Sequence, residues 1–445
     1  MIRGSALRTS AKNLTARRFI SSANSQTKYA TLSNGVTVAT ENNPHAESAT
    51  VGLWFGAGSR SEHPYSNGIS ALTANTLSNN VQNGVLFTSE NTKETNGIIA
   101  QSTNENVKEA ANAIANIVKN STATLELNEF AKAKASLIAQ ANKLESIPSK
   151  MVLEHLNASA YQGFSLALPT LGTAESVQDL EVQDSVRLLE RHLVGSNTVI
   201  AASGNINHDE LVDTLESSLS IPQGLKPATK PATFLGSEIR MRDDTLPKAY
   251  VSIAAQGEGI TSPAYYVAKV ASAIFGNFDH NSVNAKFTSA KLASIVQEYH
   301  IVDKYTHFST SYSDTGLWGF NAEISNVGSV DEFVHFTLKE WNRLSISISD
   351  AEVARGKNAV KTALLAELNS TKAIASDIAN KVLLTGYRNS LQEALERIDS
   401  ITTKDIKSWA QVALWDQDIV ISGTGQIEDL FDYNRSRNDM AMMRW

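Results

Sequence analysis

Apolar residues recur along this chain in two rhythms. Between Asn104 and Lys119, Val107, Ala111, Ile114 and Ile117 or Val118 fall three or four apart in a stretch rich in Ala, Glu and Lys. On a helix these positions share one face, so the spacing predicts a helix with that face turned inward. Glu126–Glu145 and Glu352–Leu368 follow the same rhythm. Other apolar runs are short and stop at turn residues, as strands do. Val36–Glu41 is closed by Asn42-Asn43-Pro44 and followed by Ala49–Phe55, and Asn197–Ser203 runs into Gly204.

These runs occur twice. Asn197–Ile206 and Asp418–Ile427 each join an apolar run to a glycine turn and then to Asn or Gln before Ile, at an offset of 221 residues. Both continue into an acidic stretch, at Asp209 and Glu428. The same offset carries Leu180-x-x-x-Asp184 onto Ile401-x-x-x-Asp405, each readable as a capped helix leading into the strand. At the front of each half, Val36–Pro44 then Ala49–Phe55 is matched by Glu238–Pro247 then Ala249–Ala255. Each is a strand, an acidic turn with proline, and a second strand. Two matches in the right order imply an internal duplication. Ser220–Leu235 holds three of the nine prolines among alternating lysines and is the expected connector, extended and semi-rigid. The expected architecture is α+β: two homologous αβ domains, residues 28–219 and 236–445, each a sheet covered by helices on one side.

Composition narrows the chemistry. The chain has 445 residues, more than one ordinary core holds, in agreement with two domains. It has no cysteine, which excludes disulfides, thiolate metal or iron–sulfur sites and a cysteine nucleophile. Its 39 basic and 46 acidic residues give −7, which argues against a general nucleic-acid binder. The longest apolar candidate, Ala264–Phe275, contains Lys269 and is too short to cross a bilayer. Charge is also uneven. Residues 1–26 carry Arg3, Arg8, Lys12, Arg17 and Arg18 with no acid before Glu41, and Leu7, Ala11 and Leu14 share a helical face. A basic, Ser/Thr-rich, acid-free amphipathic segment predicts a mitochondrial presequence over residues 1–27, with the mature chain starting between Ile20 and Lys28.

Candidate chemistry is sparse. None of the nine histidines stands three or four residues from another, the spacing a metal-binding helix needs. His300 and His307 are seven apart, but Ile301, Val302 and Tyr305 between them favour strand. Gly56-Ala-Gly58, Gly257-Glu-Gly259 and Gly423-Thr-Gly425 lack the remaining residues of a dinucleotide or phosphate loop and read as tight turns. There is no Gly-x-Ser-x-Gly elbow. The carboxylates offer no spacing that pairs any two, and most read as solvated helix faces.

One stretch carries a resemblance. Val51–Glu62, with its Gly56-Ala-Gly58-Ser-Arg60 turn, and the helix opening at Asn67-Gly68 resemble the first domain of the pitrilysin-type inverted zinc peptidases, which include the mitochondrial processing peptidase. In that family the helix continues His-x-x-Glu-His: the histidines bind zinc and the glutamate activates water. Here Ala71 stands at the first histidine, Ala74 at the glutamate and Asn75 at the second histidine. The family's third ligand, a glutamate, precedes a segment resembling Val152–Gly163, and counting back from it places Gln140 there. The helix itself keeps Asn67 as a cap and Ile69, Leu72 and Leu77 as a core face.

Gly236–Ala249, Tyr312–Phe320, His335–Leu344 and Asp432–Trp445 extend the resemblance through the chain, toward the core-protein branch of the family. That resemblance implies a non-catalytic body without a redox cofactor. Core proteins 1 and 2 form a bowl-like pair on the matrix side of the inner membrane. They support the cytochrome b, cytochrome c1 and Rieske subunits of a dimeric ubiquinol–cytochrome c reductase complex. The alternatives are a processing-peptidase β-type chain, against which positions 71, 74 and 75 speak, and an α-type peptide-binding chain, whose glycine-rich loop is missing here. At the C-terminus, Met440, Met442, Met443 and Trp445 beside Arg444 form a candidate buried contact, on a partner or on the chain's own domain.

Overall fold

The computed structural model describes residues 26–79, 84–121, 125 and 127–441. The presequence expectation and positions 442–445 of the tail lie outside the described residues, except for Gln26 and Thr27.

The first half builds β1 (Lys28–Thr31), β2 (Thr37–Asn42), β3 (Ser48–Phe55), β4 (Leu86–Asn91), β5 (Asn96–Thr103) and β6 (Thr198–Gly204) into one sheet in the order β1-β2-β6-β3-β5-β4. Its helices are α1 (Ile69–Ser78), α2 (Val107–Lys119), α3 (Leu127–Glu145), α4 (Pro148–Ala160), α5 (Ala174–Asp179), α6 (Val182–His192) and α7 (His208–Ser218). The second half builds β7 (Ser237–Arg242), β8 (Ala249–Gly257), β9 (Asn277–Asp279), β10 (Lys304–Ser311), β11 (Gly316–Ile324) and β12 (Ile419–Gly425) into a sheet in the order β7-β12-β8-β11-β10-β9. With it go α8 (Tyr265–Phe275), α9 (Lys291–Tyr299), α10 (Val330–Ile346), α11 (Asp350–Glu367), α12 (Thr371–Thr385), α13 (Leu391–Ser400), α14 (Thr403–Ala413) and α15 (Tyr433–Asp439).

The duplication is visible strand by strand. β2 pairs parallel with β6 and β7 parallel with β12, while every other pairing is antiparallel. β6 then neighbours β3, as β12 neighbours β8, with Val199 opposite Trp54 and Val420 opposite Ala254. The turns repeat too: Asn43 N–H donates to the Gly204 carbonyl and Asp243 N–H to the Gly425 carbonyl. The predicted helix entries are capping boxes in both halves, Glu181 with Asp184 and Thr402 with Asp405.

Strand alternation sorts the cores. Along β3, Ala49, Val51, Leu53 and Phe55 face α1, α2 and α3, joined by Ile114, Phe130 and Leu137. Along β8, Val251, Ile253 and Ala255 face α8 and α10, joined by Trp318, Phe333 and Trp341. The opposite faces differ from the one-sided cover expected from sequence. Trp54, Ile99, Val199 and Ala201 of the first sheet are covered by Ile374, Ala375, Ile378, Val382 and Leu383 of α12, a helix of the second half. Reciprocally, Leu156 and Ala160 of α4, with Tyr161 just after it, cover Ala254, Leu317 and Val420 of the second sheet. Each half lends the other a helix. This is why the central strands read as nearly continuous apolar runs: both of their faces are buried.

Candidate functional site

The positions that the resemblance assigns to zinc chemistry sit on α1. That helix starts at Gly68, which has a left-handed backbone at φ 94°. Asn67 does not cap it. The cap is Glu62, whose carboxylate accepts from Gly68 N–H and Ser70 N–H, both at 2.8 Å, and from Asn67 Nδ2 at 2.7 Å. Asn67 thus holds the capping carboxylate in place. Burial pushes the Glu62 carboxyl above its ordinary range, against the pull of these same donors. Its negative charge also lies at the positive end of the helix.

Ile69, Leu72 and Leu77 fill the core, as their spacing predicts. Ala71 and Ala74 are fully buried. Asn75 is half-buried, and its Oδ1 accepts from Ser89 Oγ on β4 at 2.6 Å. Gln140 lies on the exposed side of α3, its Nε2 donating to Ser136 Oγ one turn earlier on the same helix at 3.3 Å. A zinc ion needs lone pairs on imidazole, carboxylate or thiolate. Two methyl groups, an amide already bonded to Ser89 and an exposed amide supply none, so this donor set does not fit zinc. Among the described residues no group of three or more His, Asp and Glu is arranged to hold a metal ion. His192 bonds the Gly56 carbonyl, His208 bonds Thr40, and His307 is buried among Phe275, Trp318 and Trp341. His280 and His300 stand edge to face, their ring centroids 6.4 Å apart, with no third ligand among the described residues grouped with them.

What the structure does bring together is a charged junction between the halves. Arg60, buried in the 3-10 turn Ser59–Ser61 that follows β3, reaches three segments. Its Nη1 donates to Glu94 Oε1 at 2.7 Å, to Asp314 Oδ1 at 2.7 Å and to Ser313 Oγ at 3.0 Å; its Nη2 donates to Asp314 Oδ2 at 2.6 Å and to the Lys230 carbonyl at 3.1 Å. Glu94 also accepts from Ser313 N–H at 2.8 Å, and Asp314 from Ala232 N–H at 3.0 Å. Burial disfavours both charges, yet their mutual contacts prevail: Arg60 is held above its usual range and Asp314 below the usual carboxylate range. A second buried arginine runs the other way. Arg388, after α12, pairs with Glu41 on β2 and, at 2.7 Å, with Asp377.

Beside Arg60 lies a cavity of about 360 Å³, lined by Glu62, His63, Phe164, Lys226 and Lys230 among others. Two of its cations have structural tasks. Lys226 Nζ donates to the Leu383 carbonyl in the last turn of α12 at 2.9 Å, and Lys230 Nζ stands 4.9 Å from the Phe164 ring. Arg60 and Glu62 lie in the motif that carries the resemblance, but neither residue's task is visible in the sequence. A buried ion pair across more than 200 residues leaves no local spacing to find.

Comparison with known proteins agrees with this geometry. The model of "Insulinase (Peptidase family M16)" matches residues 37–174, and that of "Peptidase M16 inactive domain" matches residues 179–360. The chain is 61% identical over 445 residues to the Candida albicans protein "Cytochrome b-c1 complex reductase subunit, mitochondrial", covering 100% of both. It is 43% identical to "Cytochrome b-c1 complex subunit 1, mitochondrial" of Saccharomyces cerevisiae, covering 93% of each, and 37% identical to "Probable mitochondrial-processing peptidase subunit beta" of Schizosaccharomyces pombe, covering 96% of this chain and 98% of the other. Among solved structures, a chain of "Complex III2 from Candida albicans, Inz-5 bound" superposes with a TM-score of 0.91 at 62% identity, covering 93% of this chain and 100% of that one.

Proposed function

The chain belongs to peptidase family M16, and on that premise we propose that it serves as a structural core subunit, of the subunit 1 kind, in mitochondrial complex III. The observation that carries this reading is the full-length likeness to the Candida albicans cytochrome b-c1 subunit, matched in three dimensions by a chain of that organism's Complex III2. Its partners are then core protein 2 and the cytochrome b, cytochrome c1 and Rieske subunits of a dimeric complex. It carries no redox cofactor and no peptidase activity of its own.

The geometry suits that role. Both sheets are covered on both faces, and two buried arginines tie the halves, which makes a stiff body with broad outer surfaces. Obligate interfaces built on such surfaces bury about 2,000–5,000 Å². Among the described residues no helix is long and apolar enough to cross a membrane, in keeping with a peripheral subunit. We place it on the matrix face of the inner membrane, delivered by the basic segment before Lys28. The lost zinc positions are Ala71, Ala74, Asn75 and Gln140.

A second reading, a β-type processing peptidase chain, is favoured by the Schizosaccharomyces pombe relative. Alanine at positions 71 and 74 weighs against it, because no general base or metal-bound water can form there. One experiment separates the two. The tagged protein is pulled from detergent-solubilised mitochondria and the haem spectrum of the eluate recorded. Co-purifying b- and c-type haems support the complex; a lone chain with zinc and peptidase activity overturns it.

A further inference from the structure

We propose that the connector over residues 220–235 is a strap pinned by Arg60, not a hinge, and that the two halves remain closed on each other in the working protein. Hinges are short segments whose backbone is free to absorb large rotations. This connector is tied along its whole length: its start is bonded to the first half through the Pro222 and Gly224 carbonyls, to Gly195 N–H and Ser196 Oγ, and through Gln223 Nε2 to the Ser33 carbonyl. Lys226 Nζ holds the Leu383 carbonyl of α12, the Lys230 carbonyl accepts from Arg60, Ala232 N–H donates to Asp314, and Leu235 N–H donates to the Ala160 carbonyl at the end of α4. From Lys226 onward the ties alternate between the two halves, so the connector cannot swing with either one.

The closure does not rest on the connector alone. Domains that move against each other usually share a small, polar interface. Here the shared surface is apolar and reciprocal. Opening the halves would strip α12 from Trp54, Ile99 and Val199 and, in the same motion, α4 from Ala254, Leu317 and Val420. It would also part Arg60 from Asp314 and Glu94 from Ser313, leaving the Arg60–Glu94 pair of the first half without its partners in the second. Arg60 is the pin because it alone of the described residues bonds the first half's β4–β5 turn, the second half's β10–β11 turn and the connector.

Two measurements test this, the first on the assembled, detergent-solubilised complex. The first is amide hydrogen exchange within the connector. Ala232 and Leu235 should exchange at least about 100-fold more slowly than Thr229 of the same segment, since an opened amide exchanges freely. The second is made on the purified chain, which has no cysteine of its own: Glu109→Cys on α2 and Lys404→Cys on α14 carry a label pair for distance distributions. A single narrow distance is expected, and Arg60→Ala should add a second, longer one and remove the protection at Ala232. If Arg60→Ala does not assemble, Asp314→Asn, close in shape but uncharged, takes its place with the same expectation. Two distances in the unmodified pair, or connector amides exchanging as fast as Thr229, overturn the proposal. So does a variant that keeps both the single distance and the protection.

Discussion

Trp54 occupies the space that a side chain at Gly97 would need. The two residues are paired across β3 and β5, and a Cβ at position 97 would stand 2.4 Å from the indole Nε1. Gly52, two residues earlier on β3, clears room for the other end of the same ring. The indole therefore lies flat on the sheet, and its outer side receives α12. Gly97→Ala should lift the ring and loosen α12, costing about 1–3 kcal/mol as overpacking does. Thermal melting of the purified chain measures this; an unchanged midpoint would show that the ring has room to spare.

The pH response has a defined sign. His307 is fully enclosed, accepts from Trp341 Nε1 at 3.1 Å, and is held by burial at a pKa of about 3, below the usual 6.5. The folded chain therefore refuses a proton that the unfolded chain accepts below pH 6.5. Its contribution to stability is intact above pH 6.5 and declines toward pH 3 by about 1.4 kcal/mol per unit. His307→Phe should cost about 1–3 kcal/mol at pH 7.5, because Trp341 loses its acceptor, and should remove this share of the acid slope. Parallel slopes for the two chains between pH 6.5 and 4 in denaturant titrations would contradict it.

Building the family's zinc donors into α1 should fail. Ala71→His, Ala74→Glu and Asn75→His together place two large polar side chains where fully buried methyl groups now pack, and they break the Asn75–Ser89 bond. We expect a drop in melting temperature, substoichiometric zinc by elemental analysis and no cleavage of a presequence peptide. One tightly held zinc per chain would show that the helix tolerates the site.

The C-terminal segment acts first on its own half. Met440 is fully buried in the second core, Asp439 bonds His335 at 3.1 Å, and Asn342 Nδ2 donates to the Asp439 carbonyl at 2.7 Å. Of the two docking options left open by the sequence, residues 439–441 take the intramolecular one. Met440→Ala should cost about 2–5 kcal/mol. Deleting residues 439–445 should lower the abundance of the complex on native gels while quinol oxidation per assembled complex holds. A selective loss of turnover would contradict a purely structural role.

For import, exchanging Arg3, Arg8 and Lys12 for glutamate should leave the protein in the cytosol, as read by cell fractionation. Normal delivery of that variant would place the address elsewhere in the chain.

Legibility in the sequence followed the reach of each interaction. Helix rhythm, the duplicated Gly204 and Gly425 turns and the capping boxes are local, and residue spacing displayed them. The exchange of α4 and α12 was not legible, because Leu156 and Ile378 sit on helices whose apolar faces look the same whichever sheet they cover. Glu41, Glu62 and Glu94 are drawn inward by donors distant in sequence or hidden in backbone geometry, which no spacing of carboxylates displays. Residue type points to Asn67 as the cap, but Glu62 takes that place because the chain doubles back before α1.

The lent helices also set an order of events during biogenesis. The first sheet is complete once β6 has formed, but its outer face waits for α12, made about 170 residues later. Trp54, Ile99 and Val199 are therefore bare on a newly threaded chain until most of the second half has followed it. Long-range contacts of this kind are slow to close and leave apolar surface open to aggregation. A chain that stalls midway through import is thus the form most in need of a chaperone, and a truncated product ending before Thr371 should be cleared by proteolysis, not stored as a folded half.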